Sequence, residues 1–193
     1  MKFNRASGVL LHPTSLPGAY GIGEIGPEAY RFADFLHATG QRLWQILPLG
    51  PTSYGDSPYQ SPSTFAGNPL WISFDLLVKD KLLTKAQLKT FPVFPAEKVD
   101  FGAVIPARMA VLQQVCATFA DRASPALQEQ FAAFCARHAG WLDEYALFTA
   151  LKDAHNGVPW PQWEPALARR EPAALQAART QYQGKLEVLA GVE

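Results

Sequence analysis

Two short apolar runs on either side of one amphipathic helix set the strongest limit on the fold. Ser7 to Leu11 reads SGVLL and Leu43 to Leu47 reads LWQIL, each a candidate buried strand. Between them Pro27 stands where a helix prefers its first residue. Phe32, Phe35 and Leu36 follow at i, i+3 and i+4 and form one apolar face. Gly40 closes this helix in the manner of a C-terminal glycine. Two strands joined by a covering helix pair in parallel, with a right-handed crossover. The fold class at this end is therefore α/β.

The remainder changes character. Gly50 to Pro69, GPTSYGDSPYQSPSTFAGNP, carries no periodicity. A structureless loop of that length inside a compact domain is usually functional. Leu70 to Phe74 is expected to be a short extended piece. From Thr84 the pattern is helical: Thr84 caps a short helix to Leu88, and Ala107 to Phe119 forms another. Phe131, Phe134, Cys135 and His138 mark one helical face, and Trp141, Tyr145 and Phe148 mark a second, with Gly140 expected to separate two helices. Trp160, Pro161 and Trp163 form an aromatic turn, and a last helix starts near Pro172.

Composition excludes several classes. The chain has 193 residues and is 48% hydrophobic, enough to bury a core, whereas disorder needs low hydrophobicity and high net charge. Lys+Arg and Asp+Glu both number 17, so the basic surplus typical of nucleic-acid binding is missing. An uncharged polar partner fits better. No apolar run approaches the roughly 20 residues of a membrane helix. His12 and Pro13 cut short the apolar start that a signal peptide would need. Cys116 and Cys135 read as small core residues rather than a disulfide framework. A cytoplasmic location follows as the simplest expectation.

Gly21-Ile22-Gly23-Glu24-Ile25-Gly26 matches the dinucleotide-binding pattern Gly-x-Gly-x-x-Gly and lies between a strand and a helix. Two details argue against that reading. The glycines should form the turn directly after the strand, yet Pro13 and Pro17 intervene. The next strand should end near a carboxylate for the ribose, yet it ends Leu47-Pro48-Leu49-Gly50. The alternative is a loop that needs the positive φ angles of glycine.

The Gly50 to Pro69 loop offers Tyr54, Tyr59 and Phe65 beside Asp56, Ser57, Gln60, Ser61 and Asn68. A pyranose has an apolar C–H face and a rim of hydroxyls, so its site wants flat aromatics and short polar side chains. Ordinary turns use many of the same residues, so this composition alone does not decide the matter. Trp141, Tyr145, Phe148, Trp160 and Trp163 have the spacing of core packing. His12, His37, His138 and His155 lack metal-ligand spacing. Neither a nucleophile elbow nor a phosphate-binding loop occurs, and no motif calls for a cofactor. Asp143 and Glu144 are neighbours on a helix and read as solvated surface rather than a catalytic pair.

Longer stretches carry more. RASGVLLHPTSLPGAYGIGEIG and LWQILPLGPTSYGDSPYQSPSTFAGNPLWIS resemble the first two strand-and-loop units of the amylomaltases, the 4-alpha-glucanotransferase family. YGDSPYQS followed by FAGNP is the most specific part, and YALFTALKDAHNGVPWPQW is similar to a further family segment. The resemblance runs from Arg5 to about Arg170.

It implies an N-terminal portion of a (β/α)8 TIM barrel with a mostly helical inserted subdomain. Residues 1–74 would form the first barrel units and residues 75–193 the inserted part. The implied reaction transfers α-1,4-glucan segments between maltooligosaccharides by a retaining mechanism. One carboxylate attacks the anomeric carbon and a second protonates the leaving oxygen, about 5–5.5 Å away. By resemblance Tyr59 stacks on the sugar beside the scissile bond, Ser57 and Asp56 shape the same pocket, and Tyr54 matches a second glucan site. Phe101 stands where some members carry a tyrosine at that second site. The family's catalytic carboxylates lie on later strands and have no match here. A complete barrel takes roughly 250 residues, so a truncated product, a fragment or one piece of a split enzyme is expected, completed by the rest of the barrel. A non-catalytic glucan-binding module and a dinucleotide-binding domain remain the alternatives.

Overall fold

The computed structural model describes residues 5–184. The chain forms two compact units, Met1–Ala123 and Ser124–Glu193.

In the first unit β1 (Gly8–Leu10) and β2 (Leu43–Gln45) pair in parallel, with Gly8 opposite Leu43 and Leu10 opposite Gln45. The connecting helix α1 spans Pro27–Ala38. Its end is a Schellman motif. Gly40, at φ 73°, donates to the His37 carbonyl, and Gln41 donates to the Leu36 carbonyl. Leu36 is buried and Phe32 meets the edge of Trp44 at 4.9 Å between ring centroids, whereas Phe35 is exposed. The expected strand–helix–strand is present, but the strands are less covered than their apolar runs suggest. Val9 and Trp44 are half-buried, and Leu10 and Leu43 are exposed. Among the described residues the sheet has these two strands alone, so one face of each run has nothing to pack on.

The Leu70 to Phe74 segment is not simply extended. Asn68 caps a 3₁₀ turn at Pro69–Trp71, and Ile72 bridges to Ile25 in parallel. Helix α2 (Phe74–Lys79) starts at once, an element the sequence pattern did not signal because it is too short to show a period. Helix α3 (Lys85–Leu88) has the capping box expected at Thr84, with Gln87 reciprocating.

Helix α4 (Phe101–Ala117) begins at Phe101, ahead of its expected start at Ala107. Pro106 lies inside it, although proline lacks the donor for the preceding turn. Asp100 caps the Ala103 N–H instead, and burial of Val104 and Arg108 on both sides of Pro106 carries the helix through. Ile22, Leu70, Trp71 and Val104 form a core, with Phe94, Val99, Phe101 and Ile105 packed against it. Helix α5 (Phe119–Arg122) completes the unit.

The second unit is helical: α6 (Pro125–Ala154), α7 (Pro165–Ala168) and α8 (Pro172–Gln181). Gly140 does not divide α6 into two helices, and the helix runs 30 residues without a break. A mid-helix glycine costs only about 1 kcal/mol relative to alanine, and packing of Leu142, Ala146, Leu147 and Leu151 exceeds that. Leu147, Leu151, Trp163 and Ala178 form the core. Trp163 is buried as expected of a packing residue, while Trp160 is 53% exposed and departs from that reading. Glu144 is not free surface: Arg170 and Arg179 both donate to its carboxylate and hold its pKa below the usual range.

Candidate functional site

Parallel strands end on the same side, so the loops after β1 and β2 emerge together, where α/β sheets place their ligands. The first loop is built by close approach. Gly21 takes φ 80°, and a Cβ on Gly23 would lie 2.0 Å from the Pro13 carbonyl. The positive angle expected of the glycine motif therefore applies to Gly21, while Gly23 is set by lack of space. His12 bonds Thr14 Oγ1 at 2.7 Å and meets the edge of Trp71 at 5.6 Å. Burial lowers its pKa.

The second loop is shaped by its own serines. Ser53 donates to the Gln60 carbonyl at 2.8 Å and closes the YGDSPYQ segment into a ring. Ser57 Oγ accepts from the Tyr59 N–H, and Ser63 Oγ accepts from both the Phe65 and Ala66 N–H groups. Asp56 sits in the left-handed region at φ 53°, next to Gly55 at 65°. Asn68, grouped by sequence with the sugar-facing polar residues, is buried and caps the Leu70 N–H.

These constraints leave two rings in solvent: Tyr59 is 72% exposed and Phe65 71%. Both line a cleft of about 650 Å³, with Pro48 and Leu49 from the stretch after β2 and Trp71 from the loop's exit. Ser61 and Ser63 are on its lining. Of the four residues singled out from sequence, the cleft gathers Tyr59. Ser57 and Asp56 stand in the turn that presents Tyr59 and are not among the lining residues. Tyr54 opens that turn, and its side chain lies outside the described residues. Phe101 packs on the core around Ile22 and Trp71. Sequence reasoning missed Trp71, whose place in a presumed extended segment hid its role at the cleft.

A third feature joins the exits of both loops to α4. Arg108 is 0% exposed and donates to Glu24 Oε1 at 2.7 Å and to the Ile72 carbonyl at 2.6 Å. Its guanidinium lies 4.2 Å from the centre of the Phe74 ring. Burial raises the Glu24 pKa against the opposing pull of Arg108. Tyr20 donates to Asp75, and burial pushes its phenol to about 12.

A parallel strand–helix–strand unit with an aromatic-walled cleft at the strands' C-terminal ends defines an α/β protein with a ligand-type site. The family model described as Glyco_hydro_77, 4-alpha-glucanotransferase, matches residues 11–192. The chain belongs to that family. It is 48% identical over 180 residues to a 4-alpha-glucanotransferase of Thermus thermophilus, covering 93% of this chain and 35% of the relative. With the Synechocystis enzyme of the same name it shares 46% over 172 residues, 89% of this chain and 34% of the relative. A solved structure of amylomaltase from Streptococcus agalactiae in complex with acarbose superimposes with a TM-score of 0.90 at 37% identity, over 98% of this chain and 38% of that one. The chain thus spans about a third of the length of these relatives. Among the described residues no helix is long and apolar enough to cross a membrane.

Proposed function

We propose that this chain supplies the glucan-binding loops of a 4-alpha-glucanotransferase, which transfers α-1,4-glucan segments between maltooligosaccharides by retaining double displacement. The observation that carries this reading is the exposure of Tyr59 and Phe65 on one cleft after β2, within the family match. Tyr59 stacks on the apolar face of a glucose unit while hydroxyls such as that of Ser61 take its rim. Ser57 and Asp56 act indirectly, by holding the turn that presents Tyr59, and Tyr54 serves a second glucan contact. Residues 1–74 belong to the first units of a (β/α)8 barrel and 75–193 to a mainly helical insertion. The free thiols of Cys116 and Cys135 fit the reducing cytoplasm.

The reaction needs an ionised and a protonated carboxylate on opposite sides of the glycosidic bond. Of the acids in the loops after β1 and β2, Glu24 is paired with Arg108 and Asp56 lies in the presenting turn. The residues described here therefore bind, and the carboxylates come from the rest of a barrel. Calorimetric titration with maltoheptaose tests the binding. The expected result is saturable affinity that Tyr59→Ala removes, and equal binding by that variant overturns the reading. Glucose release from maltotriose should be nil for the 193-residue chain alone. Turnover that Asp56→Asn abolishes would place a catalytic acid within it.

A second reading takes the chain as a non-catalytic glucan-binding fragment or one piece of a split enzyme. The two separate on adding the remaining two-thirds of a relative: turnover appears only in the split-enzyme case.

A further inference from the structure

A fully buried arginine is rare, and a core that needs only volume does better with an apolar side chain. Arg108 nonetheless reaches from the second turn of α4 to a loop 84 residues away in sequence. Its Nε–H finds no hydrogen-bond partner among the described residues, a cost an apolar residue would avoid. What the arginine does with its remaining donors is specific. One Nη engages Glu24, in the loop after β1, and the other engages the Ile72 carbonyl, at the exit of the loop after β2. Ile72 is bridged to Ile25, and the Ile25 N–H donates to the Trp71 carbonyl at 3.0 Å. Trp71 lines the cleft that carries Tyr59 and Phe65.

We propose that Arg108 is a positioning residue for this cleft: it ties the exits of two separate loops to α4 and so fixes where Trp71 stands in the cleft that Tyr59 and Phe65 also line. A glucan site tolerates little displacement of its wall, because stacking and hydroxyl contacts must be met together. The guanidinium suits the task. Its rigid fork serves a carboxylate and a carbonyl at once, and its flat face rests on Phe74, none of which a lysine ammonium can do in one geometry. Glu24 neutralises the buried cation, and the Ile72 contact does the positioning. The affinity consequence rests on the glucan reading above, but the wall placement does not.

The test separates stability from placement. Arg108→Met leaves the Glu24 carboxylate buried without an opposite charge, so it should lower the melting temperature as well as weaken maltoheptaose binding. The double variant Glu24→Met with Arg108→Met removes both charges and should regain stability. Its affinity should stay about tenfold weaker, because the Ile72 anchor is still missing. Hydrogen exchange supplies a readout independent of ligand: the Ile25 N–H should exchange faster in the double variant, while the Leu11 N–H, bonded to Gln45 across the strands, should not change. Recovery of affinity and of Ile25 protection together with stability overturns the proposal and leaves Arg108 a core residue. If the unmodified chain binds no maltoheptaose, the glucan reading falls, and exchange at Ile25 still decides the placement. If the double variant does not fold, Arg108→Lys decides. Restored stability with unrestored Ile25 protection supports placement, and full restoration of both overturns it.

Discussion

Trp44 of β2 donates its indole N–H to the Leu11 carbonyl, one residue beyond β1, at 2.7 Å. This side-chain bond prolongs the strand pairing past its last backbone bond, Leu11 N–H to the Gln45 carbonyl. It lies directly before His12, at the point where the first loop departs. Trp44→Phe keeps an aromatic ring against Phe32 and removes the bond together with part of the ring. Chemical denaturation should show a loss of about 1 kcal/mol, with an unchanged slope in denaturant. A loss no larger than that of an ordinary surface substitution would show the bond to be incidental.

Glycines with different tasks should respond differently to alanine. At Gly40 a Cβ meets nothing within 4 Å, so Gly40→Ala suffers only the left-handed backbone, about 1–2 kcal/mol. At Gly23 the same atom would lie 2.0 Å from the Pro13 carbonyl and 2.8 Å from the Leu16 N. The loop must move, and Gly23→Ala should lower the melting temperature by clearly more than Gly40→Ala. Equal effects would show that the first loop is not held by this backbone contact.

His155 stacks on Trp163 at 4.8 Å and shares a hydrogen bond with Glu164 at 2.7 Å. That bond raises the His155 pKa above its ordinary value and lowers that of Glu164. The sign of each contribution follows. The histidine part is complete below the unfolded pKa of about 6.5 and is lost as pH rises through the raised folded value. The glutamate part is complete above about 4.3 and is lost as pH falls through the lowered folded value. The pair therefore stabilises most in the mildly acidic window between. An NMR titration of Glu164→Gln should show the His155 pKa falling, and an unmoved titration would mean the contact is not populated in solution.

Burial pushes the Cys116 thiol to about 11. Near neutral pH its thiolate fraction is very small, so N-ethylmaleimide should modify Cys116 slowly in the folded chain and rapidly once denaturant is added. Mass spectrometry at intervals reads this directly. Fast labelling without denaturant would place Cys116 in a more open setting.

The parts of the fold that could be read from sequence are those decided locally. Pro27 and Gly40 mark the ends of α1 because proline and glycine act on the backbone wherever they stand. Thr84 and Gln87 form their capping box within a single turn. The misread elements were decided at a distance. Pro106 and Gly140 are breakers by local rule, and both lie inside continuous helices because of what their neighbours pack against. The site divides in the same way. The aromatic residues of the second loop were legible as a group, and Tyr59 stands in the cleft. Trp71 and the Arg108–Glu24 pair depend on which distant segments meet, and one sequence carries no period or spacing that records such a meeting.

Helix α6 has a further consequence. Its fully buried residues run only from Leu142 to Leu151, so the half from Pro125 to Gly140 buries none completely. That half therefore gains less from burial than the other, and Gly140, a poor helix former, lies near the junction of the two. The rod is thus most deeply buried in its C-terminal half. On warming, helix content should drain from the N-terminal half while the Trp163 core is still intact, so that this helix behaves as two thermal segments within one unbroken hydrogen-bond ladder.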